Sequence, residues 1–393
     1  MAAITDRAIG FTNHNAPSTM KKTSSRRLIS GLLALFFLTG SNTTFPCTDF
    51  ILKARDGSVI NARTNEFAIP ANSSIVFVPA GKNFSSTAPD GQKGLSWQSR
   101  YGFLGLNGMG MNDKFVDGMN EKGLSAGQLL FLESRYESID ASQAGIALSN
   151  IDMCAWILGN FSTVDEVKRA LPGIRVWMQN IEQLKSSLPL HVAIHDAKGN
   201  SMVLEFINGE KRIYDNPAGV MTNMPELPWH LTNLRTYANL NPYNAPQRTI
   251  AGTSVKPIGQ GSGWLGLPGD WTPTSRFVRI TEMVNSTFPP ADAREALSNS
   301  IHIINNVDIP FGVIREKMAD GSTVCELTQW TIFKDLTNKI LYFRTYNNSN
   351  LRCIDLARLS ALHQGGPNLE LPVNTGPDVI NLTKKMVRQP AQP

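Results

Sequence analysis

FPCTDFILKARDGSVINARTNEF, residues 45–67, sets one cysteine directly behind a proline and ahead of two β-forming runs joined by Arg-Asp-Gly-Ser. Asp-Gly favours the positive backbone angles of a tight turn, so residues 48–54 and 58–64 are predicted to fold back on each other as antiparallel strands. The fold-back carries Arg63 and Glu66 to the level of Cys47. Taken alone, an arginine and a glutamate at a strand end beside a small buried cysteine also fit an ordinary sheet edge.

The segment before this hairpin has a different character. Lys21, Lys22, Arg26 and Arg27 precede LISGLLALFFL, an uncharged apolar run over residues 28–38. A membrane-spanning helix needs about 20 apolar residues, and this run has the length of a secretory h-region instead. Residues 1–46 are therefore expected to be a signal peptide with a short pro-segment. Residues 47–393 then form a single domain, periplasmic or secreted, with no stable membrane insertion after processing. The region TGSNTTFP is a poor signal-peptidase site, so a further trimming step is expected before Cys47 stands first.

Charge divides at the same place. Five basic residues against Asp6 give residues 1–46 a net +4, out of +5 for all 393 residues. The remainder is nearly neutral, which removes the basic face that binding to a phosphate backbone requires and excludes nucleic acid as a partner. With 41% apolar and 18% charged residues the chain has the composition of a folded globular protein.

Four cysteines, Cys47, Cys154, Cys325 and Cys353, are too few for a disulfide scaffold, and none shows the C-x-x-C spacing of a zinc site. Cys154, in DMCAWIL, reads as a small buried residue on a helix. Cys325 and Cys353 can be drawn either as a bridge across a hairpin or as free thiols. His191, His195, His230 and His302 lack metal-ligand spacing and read as structural. The stretch GQGSGWLGLPG, residues 259–269, has no P-loop lysine and reads as a loop.

Beyond residue 67 short β runs alternate with helices. SSIVFVPA is one strand; LPLHVAIHDAKGNSMVLEFINGEKRIYDN gives three, joined by Ala-Lys-Gly-Asn and by Asn208-Gly209. TVCELTQWTIFKDLTNKILYFRTY alternates and turns near residues 335–338. Helical spacing recurs in NIDMCAWILGNF, SRFVRITEMVN and DAREALSNSIHIIN, and in STVDEVKRAL, where Thr163 and Glu166 form a capping box. Sheets from both ends of the chain with helices between them predict a single α+β sandwich.

A cysteine made N-terminal by processing has a specific chemistry. Its thiol lies within a few ångströms of its own α-amine, whose pKa is about 8 in a free chain, so nucleophile and base come from one residue. While any residue precedes Cys47 its nitrogen is an amide and cannot serve. A guanidinium at Arg63 would lower the thiol pKa, and Glu66 would orient or accept from the ammonium.

Three separate stretches resemble one family. CTDFILKARDGSVINARTNEF is similar to the opening of the choloylglycine hydrolases, the group with bile salt hydrolases and penicillin V acylases. VMTNMPELPWHLTNL, residues 220–234, and GLPGDWTPTSRFVRI, residues 266–280, look like that family's LTN-x-P and PGD…SRFVR segments. The resemblance implies a four-layer αββα sandwich of the N-terminal-nucleophile hydrolases, two antiparallel sheets between helical layers. It places Cys47 as nucleophile, Arg63 near the thiol, Glu66 where many members have aspartate, Asn223 as an oxyanion-hole amide, and Arg276 in the catalytic constellation. A backbone N–H at Leu130 or Phe131 would complete the oxyanion hole. The implied reaction is hydrolysis of a linear amide in a small N-acyl substrate through a thioester, without metal or organic cofactor. Conjugated bile salts, penicillin V and acyl homoserine lactones are the implied candidates, and a homotetramer the implied assembly.

Alone, Asn223 reads as a turn residue and Arg276 as a surface charge at a helix start; the motifs carry their assignment. Trp97, Trp264, Trp271 and Phe131 fit either an acyl pocket or ordinary core packing. A papain-like hydrolase would need a C-G-S-C-W type signature, which is absent. A catalytically retired binding protein on the same fold would show a lost Cys47, Arg63 or Asn223, and all three are present.

Overall fold

The computed structural model describes residues 46–383, except Gln183 and Ala319. The expected leader, apart from Pro46, and the C-terminal RQPAQP lie outside the described residues. The first hairpin forms as the sequence predicts, from β1 (Cys47–Lys53) and β2 (Val59–Glu66). Gly57 at the turn has φ +90°, which an L side chain rarely adopts. In register, Cys47 stands opposite Asn65, Asp49 opposite Arg63 and Lys53 opposite Val59.

The next strands run β3 (Ser74–Val78), β4 (Phe103–Asn107), β5 (Phe115–Asn120) and β6 (Ser125–Leu130). After two helices come β7 (Leu190–His195), β8 (Ser201–Ile207), β9 (Glu210–Asp215) and the short β10 (Val220–Met221). Late in the chain β11 (Thr328–Asp335), β12 (Ile340–Thr345), β13 (Asn348–Asp355) and β14 (Leu369–Pro372) complete the set. Two antiparallel sheets result, one ordered β10-β1-β2-β11-β12-β13 and the other β9-β8-β7-β6-β5-β4-β3-β14.

Each sheet is buried on both faces where it matters. Ile51, Val59, Trp330 and Ile332 of the first sheet meet Ile75, Leu104 and Met119 of the second. On the outer side of the first sheet Phe50, Ile60 and Phe333 pack against α4 (Pro273–Ser286) and α5 (Ala293–Ile304). Outside the second sheet α1 (Met153–Asn160) and α2 (Val164–Ala170) cover Phe115, Val192 and Leu204. The order helix, sheet, sheet, helix is the predicted αββα sandwich. Among the described residues no helix is long and apolar enough to cross a membrane.

The helix caps follow the sequence: Thr163 accepts from the Glu166 N–H, Thr272 from Ser275 and Asp292 from Glu295. The drawn bridge between Cys325 and Cys353 does not form. Both thiols are free, one on a peripheral hairpin and the other on β13. Cys154 is fully buried on α1, as expected of a small core residue.

Candidate active site

Cys47 begins β1 at the end of the cleft between the sheets, and three elements converge on it. Val220 and Met221 pair with Phe50 and Asp49, so continuing β10 by two residues delivers Asn223 alongside Cys47. The Cys47 N–H donates to Asn223 Oδ1 at 2.9 Å. In the first turn of α4, Arg276 donates to Asn223 Oδ1 at 2.7 Å, to Thr48 Oγ1 at 2.8 Å and to the Cys47 carbonyl. Asn223 Nδ2 donates to the Leu130 carbonyl at 2.8 Å, which fixes which end of the amide faces the cysteine. His230, on α3 (Leu227–Asn233), meets the Asn223 carbonyl at 3.0 Å, and burial lowers its pKa to about 4, so it is a neutral support.

Arg63 reaches Cys47 diagonally across the hairpin and is held from the opposite sheet. Its guanidinium donates to Asp117 Oδ2 at 2.6 Å, to the Val116 carbonyl at 2.7 Å and to the Gln128 carbonyl. Asp117 also binds Lys334, and all three ionic groups are at most 1% exposed. Gly127 makes this possible: a Cβ there would lie 2.4 Å from Asp117 Oδ2 and 2.9 Å from Arg63 Nη1. Sequence reasoning found Arg63 but missed Asp117, Lys334 and Gly127. The one signal available was an aspartate at an inward position of FVDGMN.

Glu66 lies past a register shift at the end of β2. Its carboxylate accepts from Thr328 at 2.8 Å and Thr64 at 3.0 Å rather than from the Cys47 nitrogen. Burial pushes Glu66 up to about 8, against Arg276 and the two threonines. Glu326 is also raised to about 8, by burial and then by Glu66. The thiol differs from expectation. Arg63 lowers the Cys47 pKa as predicted, but burial outweighs it and Glu66 adds to the rise, so the net direction is up.

Of the two backbone candidates the structure separates one from the other. Phe131 N–H donates to the Pro189 carbonyl at 2.8 Å, and the Phe131 ring stacks on His191 away from the cysteine. Leu130 lines the cavity at Cys47. Its sheet partner Leu190 donates to Tyr136 Oη and accepts from Ser134 and Tyr136, and the Leu130 carbonyl meets Asn223 instead. The cavity is otherwise apolar, with Phe67, Met109, Val116, Leu188 and Leu190. Trp97 stacks on Phe84 in the outer core, and neither Trp264 nor Trp271 lines the cavity. His191 and His195 are buried in polar pairs, whereas His302 is exposed.

Two antiparallel sheets packed between helical layers are the fold of the N-terminal-nucleophile hydrolases, and here a cysteine heads the first strand inside the cleft. The model of the linear amide C–N hydrolases, choloylglycine hydrolase family, matches residues 47–369. The bile salt hydrolase/transferase of Clostridium perfringens is 33% identical over 312 residues, 79% of this chain and 92% of that one. The penicillin V acylase of Pectobacterium atrosepticum is 27% identical over 372 residues, covering 88% and 91%. A crystal structure of a variant of the conjugated bile acid hydrolase from Clostridium perfringens superposes with TM-score 0.75 at 30% identity, covering 86% of this chain and all of that one. This chain belongs to the choloylglycine hydrolase family and is a hydrolase of linear amide C–N bonds.

Proposed function

We propose that this enzyme is an exported cysteine amidase in which Cys47, made first by removal of the leader, cleaves small N-acyl substrates through a thioester. The observation that carries the reading is the single ring of polar contacts around Cys47. Asn223 receives its nitrogen, Arg276 its carbonyl, and Arg63 stands near its sulfur. In the full chain that nitrogen is a peptide N–H; once free it becomes an amine held at the same oxygen of Asn223.

The amine takes the thiol proton, and Arg63 and Arg276 favour the thiolate against the cost of burial. Sulfur attacks the amide carbonyl. The second N–H of Asn223 and the backbone N–H of Leu130 receive the oxyanion, each such donor being worth about 3 kcal/mol. The ammonium then protonates the departing amine, and water activated by the same amine hydrolyses the thioester. Arg276 and Glu66 set the charge around the amine.

The acyl group belongs in the apolar cavity beside Leu130 and Met109, and the leaving amine faces out. Conjugated bile salts, penicillin V and long-chain acyl homoserine lactones are the substrates to compare. The test is amine release from glycocholate, taurocholate, penicillin V and a long-chain acyl homoserine lactone by processed protein and by Cys47→Ser. Turnover of one class, lost in Cys47→Ser, is the expected result. Silence across the panel from protein whose first residue is Cys47 rejects the substrate class, and full activity in Cys47→Ser rejects the nucleophile.

A further inference from the structure

The register of the first hairpin places one more side chain at the nucleophile. Cys47 and Asn65 stand directly opposite in the β1–β2 ladder. Directly opposite residues project from the same face with Cβ atoms about 4.5–5.5 Å apart. Asn65 is half-buried and lines the same cavity as Leu130 and Met109.

The other polar side chains of that wall are committed. Arg63 is spent on Asp117 and two carbonyls, and Glu66 on two threonines. Gln128 Nε2 donates to the Asn150 carbonyl at 2.5 Å, and Ser73 Oγ accepts from Trp330 Nε1 at 3.2 Å. Among the described residues lining the cavity, Asn65 is the polar side chain with neither donor nor acceptor engaged. Asn65 is half-buried and its amide is served by water in the free enzyme, so an acyl group that displaces that water must supply a partner or leave the carboxamide unpaired.

A side chain one strand spacing from the sulfur, on the wall of the cavity, reaches acyl atoms about two or three bonds from the carbonyl under attack. We propose that Asn65 is a specificity-determining residue that selects N-acyl groups carrying an oxygen at that position, as an ether, keto or hydroxyl group, over plain hydrocarbon chains. The inference rests on the amidase reading above. A site built to hydrogen-bond a substrate oxygen discriminates against the analogue lacking it, because its own polar group is then left unpaired.

Phenoxyacetyl and 3-phenylpropanoyl amides of one chromogenic amine test this, since they exchange an ether oxygen for a methylene at the same place. Processed enzyme is expected to favour the phenoxyacetyl amide by about tenfold in kcat/KM, the value of one neutral hydrogen bond. Asn65→Leu should remove that preference, by slowing the ether substrate and relieving the hydrocarbon one of the unpaired carboxamide. No preference in the native enzyme, or a preference that survives Asn65→Leu, overturns the inference. Protection of Cys47 from iodoacetamide by phenoxyacetate and by 3-phenylpropanoate reads the same wall without turnover. If neither amide is hydrolysed yet phenoxyacetate protects better and Asn65→Leu loses the difference, the amidase reading falls and the role of Asn65 stands. Equal protection by the two acids overturns the role of Asn65 whatever the turnover. Should Asn65→Leu fail to fold, Asn65→Ala carries the same comparison.

Discussion

Cys47 offers its nitrogen to Asn223 and its sulfur to a cavity that holds Arg63 and Glu66, so one residue meets two electrostatic settings. Cys47→Ser is expected to lower kcat by at least about a thousandfold, because a hydroxyl with an ordinary pKa far above a thiol's is a poor nucleophile beside an amine. Cys154→Ser, on the far side of the second sheet, should leave kcat/KM within about twofold and lower only the melting temperature, since it buries a hydroxyl. The carboxyls give a second test. Burial holds Glu66 and Glu326 each at about 8, above the ordinary glutamate value of 4.5, so the folded chain holds their protons more tightly than the unfolded one. The part of the stability that these two carboxyls supply in the chain still carrying Pro46 is therefore fullest below about pH 4.5 and is lost as pH rises toward 8, while buried His230, at about 4, contributes in the opposite direction below about pH 6.5. Between about pH 6.5 and 8 the urea midpoint of the unaltered chain should decline, and Glu326→Gln should flatten that decline. A level profile over that window, or one that Glu326→Gln leaves unchanged, would refute the burial argument. The charged residues that matter differ in how plainly the sequence announces them. Arg63, Glu66, Asn223 and Arg276 stand inside recognisable motifs, whereas Glu326 and Asn65 acquire meaning only from what the folded chain sets opposite them.

The β1–β2 hairpin is an element with no solvent face near the site, and that changes what an ion pair there is worth. Arg63, Asp117 and Lys334 lie between the two sheets, with one carboxylate serving two cations. Asp117→Asn would take from both buried cations the carboxylate they share, so it is expected to cost about 3 kcal/mol in urea unfolding. Lys334→Met in the same chain should recover part of that loss, and no recovery would mean that the two residues are not coupled. Gly127→Ala probes the same place from the backbone, because its methyl would press on Asp117 and Arg63; a loss of kcat with the fold retained is expected. The hairpin itself was legible because its turn and alternation are local, as was the helix cap at Thr163. Sheet order was not. That β2 lies between β1 and β11, and that β5 faces it from the other sheet, depends on contacts more than 50 and 250 residues apart in the chain, such as Arg63 with Asp117 and Arg63 with Ile332. The open reading of Cys325 and Cys353 had the same origin: both are near hairpin ends in sequence, but their strands belong to different sheets.

At the scale of the whole molecule, the proposed mechanism turns on the residue before Cys47. Pro46 is buried with Cys47 in the described chain, so the peptide bond between them lies inside the polar ring of Asn223 and Arg276 rather than on a free surface. Pro46 keeps the Cys47 nitrogen an amide, which cannot accept a proton, and that ends when the bond is cut. Protein retaining Pro46 should therefore be inactive toward every amide in the panel, and its turnover should rise in proportion to the fraction whose intact mass begins at Cys47. The new ammonium also places a positive charge near Glu66, so the decline of stability with rising pH should be shallower after processing than before. Activity in protein whose measured mass still includes Pro46 would separate the nucleophile from the amine and require another base. Activity that tracks the Cys47-first fraction while the pH slope stays unchanged would keep the amine as base and place its charge away from Glu66.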